Sequence, residues 1–157
     1  EATRLDVNPE RLVFAGREPM ARHLARMSLA DLALDPFHIS GGATSVAALN
    51  AGVPVLTLRG RSFLARMGSS INARLGMTDI DCQDTEQYIA KAVELAMNPA
   101  ELAAVKNRLG VARETHDFFS ARTFVRALEE ALQMAWKHHE ASQPPADIRV
   151  TDSPGRQ

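Results

Sequence analysis

The chain has 157 residues, 45% apolar and 24% charged, which is enough apolar surface for one core and too little charge for wholesale disorder. A net charge of -1, with basic residues scattered between Arg17, Arg22, Arg26 and Arg59, Arg61, Arg66, argues against nucleic acid or an anionic membrane as partner. The lone cysteine, Cys82, excludes an internal disulfide, and without a signal peptide or a membrane-length apolar run the expected compartment is cytoplasmic. In chain order, the sequence opens on Glu1 rather than Met, as expected for a piece of a longer protein. A turn at Asn8-Pro9 leads into Arg11-Leu12-Val13-Phe14-Ala15, which reads as a short buried strand. Pro19 suits a first helical turn, and from Met20 the residues Leu24, Met27 and Leu29 make a helical apolar stripe. Leu32-Ala33-Leu34 reads as a second strand. It continues through Asp35-Pro36-Phe37-His38-Ile39-Ser40 to a Gly41-Gly42 turn, after which Ala43 to Asn50 form a small-residue helix stopped at Gly52.

Val53 to Leu58 is a continuous, β-branched run of the kind buried in a parallel sheet. Ser62 caps a helix through Phe63, Met67, Ile71 and Leu75, ending at Gly76. Asp79-Ile80-Asp81 is a weak strand candidate. Asp84 opens a helix containing Tyr88, Ile89, Ala92, Val93 and Leu95, and Asn98-Pro99 breaks it and starts another through Leu102, Val105 and Leu109. A last helix runs from about Ser120 through Phe124, Leu128, Leu132 and Trp136. The Met and Phe stripes of the last two helices read as core, with Trp136 anchoring the end. Residues 1–140 are expected to form the domain. Residues 141–157, with Gln143-Pro144-Pro145 and Ser153-Pro154-Gly155, have nothing to bury and are expected to be a disordered tail.

Strands alternating with helices over short links predict an α/β fold, a Rossmann-like parallel sheet with flanking helices and an extended C-terminal helix. Ligands of such folds sit at the carboxyl ends of strands, where the Gly41-Gly42 turn falls. The N–H groups at the start of the following helix are unpaired, and the helix dipole adds partial positive charge, so the turn suits an anion. Geometry alone also calls for glycine at many such turns. Arg26 lies one turn beyond His23 on the same side of its helix. His38 either faces the cleft or packs its own loop, and Arg66 either reaches the cleft or, the favoured reading, pairs with Asp35. His138 and His139 diverge by about 100° on a helix and read as a frayed end rather than a chelate.

The order of several motifs resembles one family. These are Arg11-Leu-Val-Phe; Pro19 with His23-x-x-Arg26; Leu29-Ala-Asp-Leu-Ala-Leu34-Asp35; Gly-Gly-Ala-Thr44; Ala51-Gly-Val-Pro-Val-Leu-Thr57; Gly60-Arg-Ser-Phe-Leu-Ala-Arg66-Met-Gly-Ser-Ser70; and, near the end, Phe119 and Gln133-Met-Ala-Trp136. Together they resemble the C-terminal part of the catalytic region of the O-linked N-acetylglucosamine transferase and SPINDLY family, over about Arg11 to Trp136. The resemblance implies the C-terminal half of a GT-B glycosyltransferase, lacking here its first strand and helix. It implies a nucleotide sugar as ligand, a UDP-sugar or a GDP-sugar, and sugar transfer to a Ser/Thr hydroxyl without a metal. It assigns His23 and Arg26 to the base region of the nucleotide, and Gly41, Gly42, Ala43 and Thr44 to the diphosphate. A protein acceptor and the N-terminal half of the same protein, with tetratricopeptide repeats, are the implied partners. No catalytic residue maps onto this stretch, which on its own is expected to be inactive.

Three positions depart from the family's pattern. Met20 stands near where the family carries a lysine, Gly42-Ala43 replaces part of a His-Thr-Thr or Thr-Thr-Thr turn, and Ala47 replaces a ribose-gripping carboxylate. A different outcome is therefore open: a degenerate half that serves as a structural or protein-interaction module.

Overall fold

A computed structural model describes residues 1–150, so Ser153-Pro154-Gly155 of the expected tail lie outside the described residues. The sheet has three parallel strands in the order β1-β2-β3, namely β1 (Ala33–Leu34), β2 (Val55–Leu58) and β3 (Asp81–Cys82). Six helices connect and extend it: α1 (Met20–Met27), α2 (Ala43–Asn50), α3 (Met67–Arg74), α4 (Thr85–Met97), α5 (Pro99–Thr115) and α6 (Ala121–Glu140). Val55, Leu56 and Thr57 are all buried although successive side chains point to opposite faces, so β2 is covered on both sides. Helices α2, α3 and α4 supply that cover.

The helix boundaries follow from local chemistry. Asp84 accepts the Gln87 N–H at 2.8 Å, Asn98 the Glu101 N–H at 3.3 Å, and Ser120 the Thr123 N–H at 3.2 Å, capping α4, α5 and α6. Pro99 occupies the first position of α5, where its missing N–H costs nothing. Ser62 accepts from the Ala65 N–H at 3.2 Å, but the helix it was expected to start is preceded by a separate 3-10 turn, Leu64–Arg66. Asp79-Ile80-Asp81 divides: Thr78–Ile80 form a 3-10 turn and only Asp81 enters β3.

The core gathers Leu49 from α2, Val55 and Leu56 from β2, Ile80 and Cys82 beside and in β3, Tyr88 and Leu95 from α4, and Val105 and Leu109 from α5. Lys106 pairs with Asp31 at 2.7 Å and Arg108 with Asp79 at 2.5 Å, fixing the outer side of α5 to the loops beneath it.

Two expectations fail. Arg11–Ala15 forms no strand: Val13 is 86% and Phe14 91% exposed, and β1, the edge of the sheet, pairs only with β2. An extended segment becomes a strand only where a neighbour takes its N–H and C=O groups, and here the described residues offer none. The apolar stripe of α6 is also not core. Phe124, Leu128, Leu132 and Trp136 are exposed, and Trp136 lies against the His139 ring of its own helix, 5.6 Å between centroids. Periodicity identifies an amphipathic helix correctly, but the described residues place no surface against its apolar side.

Candidate functional site

The carboxyl end of β1 is organised around one side chain. Asp35 is 4% exposed, and its carboxylate accepts four hydrogen bonds. Oδ2 takes the Ser40 hydroxyl at 2.5 Å and the Thr57 hydroxyl at 2.8 Å. Oδ1 takes the Gly41 N–H at 2.8 Å and the Ser45 hydroxyl at 3.2 Å. Ser40 Oγ also accepts the Gly68 N–H at 2.8 Å, so α3 joins the same cluster. The Asp35 backbone is held as well, since Tyr88 donates to its carbonyl at 3.1 Å while Tyr88 stacks edge-on against Phe37 at 5.0 Å. Burial, and next the nearby Asp35 charge, push the Tyr88 hydroxyl up to about 12.

The expected Arg66–Asp35 ion pair is therefore absent. Hydroxyls and an amide satisfy the carboxylate from inside the fold, and Arg66 is exposed, lining the neighbouring groove. Ser40 and Ser45, 5 and 10 residues after Asp35, are the part of its role that the sequence could have shown; Thr57, 22 residues on, is not.

Above this cluster lies the Gly41-Gly42 turn. The Gly41 N–H is spent on Asp35, so Gly41 faces inward; a Cβ there would come within 2.6 Å of the Ser45 and Thr44 hydroxyl oxygens. Gly42 caps α2 with φ +47, a left-handed backbone that favours glycine. Among the described residues the Gly42 and Ala43 N–H groups meet no protein acceptor, as expected at a helix start. Thr44 is exposed, but its hydroxyl donates to the Gly41 carbonyl at 2.6 Å, closing the turn on itself.

A groove of ≈ 610 Å³ opens beside the turn, lined by Arg61, Phe63, Arg66, Met67, Ser70 and Ile71. Met67 joins the two features, because a Cβ on Gly42 would sit 2.9 Å from its methyl group. His23 and Arg26 lie together on α1, where Arg26 Nη2 is 3.2 Å from His23 Nδ1 and Arg26 Nη1 donates to the Gly16 carbonyl at 3.1 Å. Helix α1 packs against α2, yet no hydrogen bond among the described residues joins this pair to the turn. Ala43 and Ala47 put methyl groups on α2. His38 is exposed in the loop before the turn, and His138 and His139 lie near the end of α6.

A parallel sheet, a small-residue helix entered through a glycine turn, and a groove at the strands' carboxyl ends define the C-terminal half of a GT-B glycosyltransferase fold. The solved structure of a lysine-to-methionine mutant of Thermobaculum terrenum O-GlcNAc transferase matches it with a TM-score of 0.77 and 29% identity, over 90% of this chain and 28% of that one. The chain belongs to glycosyl transferase family 41, whose sequence profile matches residues 1–128. It is 30% identical to the probable UDP-N-acetylglucosamine--peptide N-acetylglucosaminyltransferase SEC of Arabidopsis thaliana over 94% of this chain and 15% of that protein. It is 27% identical to the UDP-N-acetylglucosamine--peptide N-acetylglucosaminyltransferase of Caenorhabditis elegans over 88% of this chain and 12% of that protein. The chain thus spans a small part of the curated relatives it matches.

Proposed function

We propose that this chain is the donor half of an O-linked protein glycosyltransferase, transferring sugar from a nucleoside diphosphate to a Ser/Thr hydroxyl. The observation that carries the reading is the helix start at Gly42–Ala43, with two unpaired N–H groups beside a groove containing Arg61 and Arg66. Oriented amides of this kind stabilise negative charge as it develops on a departing diphosphate, and they do so without a metal. In this reading Gly42 and Ala43 supply N–H groups and Gly41 sets their position. Thr44 supplies a hydroxyl after rotation, and His23 with Arg26 meets the base. The relatives' names support UDP-N-acetylglucosamine as the first donor to test and a peptide as acceptor. The base that activates the acceptor hydroxyl belongs to the rest of the intact protein, so this stretch alone does not turn over. A nucleotide-sugar donor and a lone buried thiol suit the cytoplasm.

Calorimetric titration of the intact protein with UDP, UDP-sugars and GDP-sugars tests the proposal. Saturable binding of one nucleotide is expected; no binding at millimolar nucleotide contradicts it.

Ala43 and Ala47 favour a second reading, a non-catalytic module that keeps the fold for contact with other proteins. Each polar ligand group left unmatched costs on the order of 1–3 kcal/mol, enough to erode affinity severely. Restoring polarity with Ala43→Thr and Ala47→Asp separates the two. If the site geometry is retained, UDP affinity rises at least about tenfold, the equivalent of one recovered contact. An unchanged affinity supports the module.

A further inference from the structure

We propose that Asp35 is the positioning residue of the glycine turn, fixing the direction in which the Gly42 and Ala43 amides point. The proposal rests on the donor-site reading and deepens it. A buried carboxylate without a cation is costly unless its oxygens are fully hydrogen-bonded. Here four donors come from separate pieces of the fold: Ser40 and Gly41 in the turn, Ser45 in α2 and Thr57 in β2. Bonds to an ionised acceptor are roughly twice as strong as neutral ones, so the cluster is stiff.

The consequence for the turn is geometric. Asp35 Oδ1 holds the Gly41 N–H, while the Gly41 carbonyl takes the Thr44 N–H at 2.9 Å and the Thr44 hydroxyl at 2.6 Å. With Gly41 pinned at both its N–H and its carbonyl, Gly42 at φ +47 has little freedom to reorient its amide. The Ser45 bond fixes the first turn of α2 to the same oxygen. Thr57 binds the carboxylate from β2 without touching the turn, and so provides an internal control. A negative charge beneath an anion site looks self-defeating. Its four donors direct their positive ends at Asp35, and the Gly42 and Ala43 amides are left without a protein acceptor among the described residues.

The test compares Asp35→Ala, Asp35→Asn and Thr57→Val in the intact protein, by amide hydrogen exchange over residues 40–46 and by titration with UDP. Asp35→Ala is expected to speed exchange at Gly41 to Thr44 and weaken UDP, each by at least about tenfold, the equivalent of one lost buried bond. Asp35→Asn is expected to fall between, because its amide oxygen still accepts the Gly41 N–H. Thr57→Val, although destabilised, stays within about threefold of the unaltered protein on both readouts, having lost no bond to the turn. A purely structural role makes losses follow stability, so that Thr57→Val and the Asp35 variants behave alike; that result overturns the proposal. Should Asp35→Ala not fold, Asp35→Asn against Thr57→Val decides by the same rule. Should the unaltered protein bind no UDP, the donor reading falls, and the exchange comparison alone still decides whether Asp35 holds the turn.

Discussion

Gly68 has no room for a methyl group: a Cβ there would lie 2.5 Å from Asp35 Oδ2, 2.6 Å from Thr57 Oγ1 and 2.9 Å from Ser40 Oγ. Ser40 and Thr57 both donate to Asp35 Oδ2, so none of the three atoms yields without disturbing a bond. Gly68→Ala is therefore expected to destabilise by about 1–3 kcal/mol by overcrowding, outweighing the gain in helix propensity. Denaturant unfolding measures it. Tyr88, in the same neighbourhood, gives a pH signature. Its hydroxyl is held up to about 12 in the fold, against an unfolded value near the ordinary one of about 10. Between those values the unfolded chain has released a proton that the folded one retains. Stability conferred by this group is thus complete below about pH 10 and falls as pH rises toward 12. Tyr88→Phe flattens that alkaline decline in a pH series of melting temperatures. An unchanged decline assigns it elsewhere, Cys82 first, whose thiol is also raised by burial.

Among the elements, α5 and α6 both carry apolar residues at helical spacing and differ in how deeply these are buried. Leu109 is fully buried, whereas Leu128 is 46% exposed. Leu109→Ala is expected to cost about 2–5 kcal/mol and Leu128→Ala less than about 1 kcal/mol when unfolding of this chain is followed by denaturant. Much of this level was legible from residues. Asp84, Asn98 and Ser120 mark helix starts because each offers a short side-chain acceptor to a free N–H, and Gly52 and Gly76 take left-handed backbones just past α2 and α3. The apolar run of β2 correctly signalled burial on both faces. What could not be read is whether an apolar segment finds a partner. Val13-Phe14 and the α6 stripe have the right patterns, and the described residues leave both exposed. The site was half legible for the same reason. Gly41-Gly42 announces a turn, but the bonds that shape it run from Asp35 to Thr57, 22 residues away, and from Ser40 to Gly68, 28 residues away. No local pattern encodes such contacts.

At the scale of the whole molecule, family membership and the GT-B fold place the turn and its groove at the strands' carboxyl ends, where this architecture takes ligands. The chain spans 12% and 15% of the two relatives compared, so the proposed function is to be tested on the intact protein. The central claim concerns one feature of that larger assembly: the start of α2 binds the diphosphate of the donor. Titrating UDP into the intact protein and into its Gly42→Val variant tests it most directly. Valine at this position strains the left-handed backbone and crowds the Met67 methyl, displacing the Gly42 and Ala43 amides. Saturable UDP binding by the unaltered protein, weakened at least about tenfold in a folded Gly42→Val protein, is the predicted result. Equal affinity in the two proteins contradicts it.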